Sequence, residues 1–151
     1  MISSTVTPWS SDWVWSLPLT VVTVVFHAFG LGLLNRGMTF ILKRAPKSGL
    51  TILQSVCIVG GTALCATLLH SFEGFMWAIA YLFLGAMADW RDATLYSLSA
   101  MTTYGHSGNL LARWQLMGSL EALNGWIVFG LTTAFLFTVI QEVWSHRNGT
   151  F

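Results

Sequence analysis

The sequence predicts an all-α membrane protein, and three observations predict it. Of the 151 residues, 54% are hydrophobic and only 9% are charged, where a soluble domain carries about a quarter charged residues. Several apolar segments are long enough for a helix to cross a hydrocarbon core of about 30 Å. Eight tryptophans fit aromatic belts at the two membrane interfaces. The formal net charge of +1 argues against nucleic acid, which wants a basic face.

Residues 1–12 are polar and rich in Ser and Thr, and are expected to form an extracytoplasmic tail. They contain no Lys or Arg. The basic start of a cleavable signal peptide is missing, so the first apolar segment is expected to stay as an anchor. That segment, 13–34, has no formal charge. Trp13 and Trp15 mark its outer end, and His27 is its one titratable group. A neutral, hydrogen-bonded histidine packed between helices is the expectation there. Residues 36–47 carry Arg36, Lys43, Arg44 and Lys47 without an acid, the pattern of a cytoplasmic loop.

The second span is expected at 50–71. Its Gly60–Gly61 pair permits close helix approach, and Cys57 and Cys65 read as buried free thiols, too far apart on one helix to bridge. His70 and Glu73 mark the opposite membrane surface. Residues 74–88 are apolar but short for a full crossing. If they cross, the next loop enters from the cytoplasm. If they lie in the interface or re-enter on the outer side, that loop enters from outside and the C-terminus falls inside. The second option leaves only Arg91 and Arg113 outside, against Arg36, Lys43, Arg44, Lys47 and Arg147 inside, and is the expectation here. A short helix follows from residue 91, with Asp92 as its cap. The last span is expected at 116–143. There is no internal repeat, and residues 13–151 read as one domain.

The chemistry concentrates at 91–108, where the short amphipathic helix ends in Thr102-Thr103-Tyr104-Gly105-His106-Ser107 and an apolar span follows. Further on come Trp114, Gly125 and the run Phe129-Gly130-Leu131-Thr132-Thr133-Ala134. This ordered set resembles the pore domain of potassium channels, whose usual filter core is Thr-Thr-Val-Gly-Tyr-Gly. The similarity covers roughly residues 89–142, and the whole resembles small bacterial proteins of the ion-channel or two-pore-type potassium-channel family.

The resemblance implies a pore helix, a re-entrant filter loop at 91–108 and an inner helix, preceded by additional N-terminal spans. One loop per chain implies a homotetramer in the bilayer, in a bacterial inner membrane, with the N-terminus outside. Backbone carbonyls would replace a monovalent cation's hydration shell, with potassium or a similar ion held at Thr103, Tyr104 and Gly105. Thr103 would supply a hydroxyl at the inner mouth, Gly105 a permissive backbone, and Tyr104 a ring packed behind the filter. Glu121, Asn124, Gly125, Phe129 and Thr133 would support the pore, with Gly125 at the position of the gating hinge. No organic cofactor is implied.

The chain departs from the pattern at the outer end of the filter. His106 stands where the filter tyrosine is usual, Ser107 where the second glycine is, and Asn109 where an acid is. Either the outer half is distorted or Gly108 takes the glycine's place after a one-residue shift. Fewer well-formed sites predict relaxed potassium selectivity. His106 either rings the outer mouth, titrating near neutrality, or turns behind the filter into a hydrogen bond. Glu121 costs about 2.5–3.5 kcal/mol to insert at a helix centre. It is expected to brace the short helix through Ser97 or Ser99; the competing role is a cation-attracting ring. Asn124 shares its side of the helix.

A non-conducting accessory subunit is the alternative reading. A transporter lacks a visible inverted repeat. An enzyme finds no nucleophile–base arrangement and no metal-ligand spacing. No row of Arg residues suggests a voltage sensor.

Overall fold

The computed structural model describes residues 10–45, 49–104, 110 and 114–148. Among them every regular element is a helix: α1 (Ser10–Lys43), α2 (Ile52–Phe83), α3 (Trp90–Met101) and α4 (Gln115–Asn148). α1, α2 and α4 are long and apolar enough to cross a membrane. At 34, 32 and 34 residues each is roughly 50 Å long at the α-helical rise, more than the hydrocarbon thickness.

The structure differs from the expectations in the bounds of the long helices, α4 running to Asn148 rather than 143, and in the exposure of two cysteines. α1 begins at Ser10 rather than 13 and continues through the basic stretch to Lys43, so residues 36–43 are helix and not loop. Long basic side chains tolerate this because their stems can lie on apolar surface while the charge reaches outward. Just past the helix end, the Arg44 guanidinium lies over the Phe40 ring, 3.9 Å from its centre, a cation–π contact. Residues 74–83 do not form a separate segment. They are the last turns of α2, which runs unbroken from Ile52. Cys57 and Cys65 are exposed on the helix surface, not buried.

The helix ends follow from local chemistry. Thr51 and Gln54 form a reciprocal box at the start of α2: Gln54 N–H donates to Thr51 Oγ1 at 3.2 Å and Thr51 N–H to Gln54 Oε1 at 2.9 Å, which satisfies two orphan donors. Asp89, not Asp92, caps α3, accepting the Asp92 N–H at 3.1 Å. Asp92 instead places its charge in the first turn, where the helix dipole favours it. α2 ends in a Schellman motif. Gly85 N–H donates to Leu82 O and Ala86 N–H to Tyr81 O, with Gly85 at φ +62°, the left-handed conformation this cap requires.

Contacts divide the chain into two units. The first comprises Met1–Val24 and Glu73–Ile127. Its centre is α3, whose buried residues Ala93, Tyr96, Ser97, Ala100 and Met101 repeat with the helical period and form one stripe. Around them Trp77, Ala78, Tyr81 and Met117 are fully buried. The second unit comprises Val25–Phe72 and Val128–Phe151. Its core is Met38, Leu42, Leu50, Val139 and Val143, with Ile58, Val59 and Phe135 packed against it. Phe26 stacks on Phe72 at 5.0 Å.

Candidate functional site

The site is built at the C-terminal end of α3. Thr102 is the helix cap, at φ −86° and ψ −2°, and its hydroxyl donates back to Leu98 O at 2.7 Å. Thr103 N–H donates to Ala100 O at 3.0 Å and Tyr104 N–H to Ser99 O at 3.1 Å. This is the same Schellman geometry that ends α2, but the left-handed position is held by Thr103 at φ +56°. Thr103 is the one non-glycine residue with positive φ among the described residues. A side chain in that region costs roughly 1–2 kcal/mol where glycine pays nothing comparable. Backbone outliers of this kind persist where the surroundings hold them, and they cluster at functional positions. Thr102, Thr103 and Tyr104 are exposed, Tyr104 by 90%. Gly105, His106 and Ser107 lie outside the described residues.

What holds this helix end in place lies behind it. Glu121 of α4 is fully buried and both its oxygens have partners. Tyr81 Oη donates to Oε2 at 2.6 Å, and Ser97 Oγ donates to Oε1. Ser97 also reaches Gly74 O at 2.7 Å, so one hydroxyl hydrogen serves two acceptors and ties α3 to both α2 and α4. Tyr81 meets Tyr96 edge-on at 5.3 Å. One turn further along α4, Gly125 lies against the backbone of Met101, the residue just before the Thr-Thr pair. A methyl group on Gly125 would come within 2.7 Å of Met101 Cα and closer still to its carbonyl oxygen. Gly118 is covered in the same way by the Tyr96 ring and hydroxyl. The absence of side chains at 118 and 125 is what lets α3 sink onto α4.

Asn124 is fully buried, and its Nδ2 donates to Thr23 Oγ1 at 2.9 Å. Thr23 passes its own hydrogen to Leu19 O and Thr20 O at 2.9 and 3.0 Å. Asp12 is buried too, and its Oδ1 accepts Met117 N–H in the first turn of α4 at 3.2 Å. A carboxylate there satisfies an orphan donor and complements the helix dipole.

The sequence offers Ser97 or Ser99 as a partner for Glu121 and places Asn124 beside it; the structure selects Ser97 and adds Tyr81, Thr23 and Asp12, none of which was expected from the sequence. A tyrosine in an apolar run needs a partner for its hydroxyl, and that signal at Tyr81 was available. Of the remaining positions singled out, Phe129 and Thr133 belong to the second unit and are exposed, with Thr133 Oγ1 donating to Phe129 O at 2.9 Å. Also in that unit, the Thr132 hydroxyl sits between two imidazoles, 2.9 Å from Nε2 of both His27 and His70. His27 is thus the buried, hydrogen-bonded histidine expected from its place in the first span.

No family model, curated protein or solved structure matches the chain. The class rests on the helices themselves: all-α, with three of them suited to cross a bilayer, as fits an integral membrane protein.

Proposed function

We propose that the chain is a homotetrameric cation channel of the potassium-channel type, permeable to potassium with relaxed selectivity. The observation that carries this reading is the end of α3: an exposed Thr102–Thr103 pair with Thr103 in a left-handed conformation. A dehydrated cation needs a row of oxygens turned to one side, and a backbone forced out of its ordinary region is how a chain presents them. The dipole of α3 ends in partial negative charge at this point, which favours a cation.

The buried network behind that end supports the same reading. A filter selects only if its backbone is held still, and Glu121, Ser97 and the Gly125–Met101 contact grip the helix on which it would stand. Full burial of Glu121 favours the bracing role over a cation-attracting ring. Filter carbonyls would come from Thr102 to Gly105, with Thr103, Tyr104 and Gly105 holding a potassium ion or another monovalent cation. Phe129 and Thr133 would belong to the inner helix. The N-terminus would face outside and the C-terminus the cytoplasm of a bacterial inner membrane, because Arg36, Lys43, Arg44 and Arg147 then all face inward. No enzymatic role is proposed.

Purified protein in potassium-loaded liposomes provides the test. Potassium efflux, carried by an assembly with the mass of four chains, is expected. Tetramers without efflux would point instead to an accessory subunit that keeps the scaffold without conducting.

A further inference from the structure

A second site lies in the other unit, away from the Thr-Thr end of α3 in sequence and chemistry. A cleft of about 270 Å³ is lined by Thr39, Leu42 and Lys43 of α1 and by Glu142, Ser145 and His146 of α4. Two features of its lining stand out. It carries one full charge of each sign, and Lys43 and Glu142 form no ion pair among the described residues. It also lies at the C-terminal ends of two candidate spans. There Arg44 over Phe40 and Arg147 over Trp144, at 3.9 and 5.2 Å from the ring centres, have the aromatic-plus-cation character of a headgroup region.

A purely anionic ligand fits this lining poorly. Glu142 repels it, and the carbonyl ends of α1 and α4 add partial negative charge. A purely cationic ligand meets Lys43. A ligand bearing both an ammonium and a phosphate satisfies each wall. The phosphate takes Lys43 and the Thr39 and Ser145 hydroxyls, and the ammonium takes the Glu142 carboxylate. His146 Nδ1 donates to Glu142 O at 3.0 Å, which fixes the imidazole against the same turn of α4. The cleft stands at the ends of two candidate spans, the level at which lipid headgroups lie, so the occupant is a lipid rather than a soluble headgroup.

We infer that this cleft binds the headgroup of phosphatidylethanolamine, with its ammonium on Glu142 and its phosphate on Lys43. The inference needs the membrane setting but not conduction, and it stands or falls apart from the channel reading.

The full chain, purified in detergent, is mixed with equal amounts of phosphatidylethanolamine, phosphatidylcholine and phosphatidylglycerol, and retained lipid is read by native mass spectrometry. Retention of phosphatidylethanolamine about tenfold over the other two is expected, the size of one charge-assisted hydrogen bond that the methylated choline cannot donate. Glu142→Gln should abolish the preference for phosphatidylethanolamine over phosphatidylcholine, lowering retention of the ethanolamine lipid more than that of the choline lipid. Lys43→Gln should lower both. Both side chains are exposed, and unchanged helix content by circular dichroism confirms that each variant folds. Equal retention of the ethanolamine and choline lipids, preference for phosphatidylglycerol, or indifference to Glu142→Gln would each overturn the assignment.

Discussion

The Tyr81 hydroxyl donates to Glu121 Oε2 at 2.6 Å, joining α2 to α4 between two fully buried side chains. Breaking such a pair from one side leaves a buried oxygen short of a donor. Tyr81→Phe is therefore expected to destabilise the fold by about 1–3 kcal/mol, read as a lower thermal unfolding midpoint in detergent. Glu121→Gln keeps the shape and one acceptor oxygen, and should lower it less than Glu121→Ala.

Thr103 offers a test in which stability and function move in opposite directions. Thr103→Gly relieves the left-handed strain, and the cap of α3 should gain roughly 1–2 kcal/mol. On the channel reading the same change removes the hydroxyl at the inner mouth and frees the backbone, so ion discrimination should fall. Unfolding midpoints and reversal potentials of one variant check both halves. A less stable Thr103→Gly would contradict the strain argument.

Gly125→Ala drives a methyl group into the Met101 backbone. Overpacking of this kind costs about 1–3 kcal/mol, and here it would displace the residue that leads into Thr102. Gly60, whose added methyl group meets nothing within 4 Å, is the matched control: Gly60→Ala should be stabilising by up to about 1 kcal/mol through helix propensity. Equal effects at the two sites would deny the close approach.

Asp12→Ala removes the carboxylate from the first turn of α4. The expected loss is about 0.5–2 kcal/mol, with Asp12→Asn recovering part of it because the amide oxygen still accepts from Met117. Hydrogen exchange at the start of α4, faster in the alanine variant, separates this local effect from general unfolding.

The parts of this arrangement that were legible in the sequence are those where a polar or missing side chain breaks an apolar run. Glu121 announces a buried partner because an isolated carboxylate in lipid is costly, and Ser97 and Ser99 are both within a turn of the right height on the short helix α3. The lengths of α1 and α2 were not legible. Charges at Arg36 and Lys43, and the Glu73–Gly74 pair, look like helix ends, but basic stems snorkel and Gly74 serves instead to admit Ser97 and Leu98. The faces of α2 were equally hidden. In a soluble protein polarity marks the outward face, but lipid and protein interior are both apolar, so nothing in the run around Cys57 and Cys65 says which side meets the neighbouring helices. Asp12 was lost among the polar residues before Trp13, since its partner is more than a hundred residues away.

The central claim is tested most directly by the bi-ionic reversal potential of the reconstituted protein, with potassium on one side of the bilayer and sodium on the other. A cation current whose reversal favours potassium, yet falls short of the limit set by ideal potassium selectivity, is the predicted result. A protein that carries no current, or one whose current ignores potassium, would contradict it.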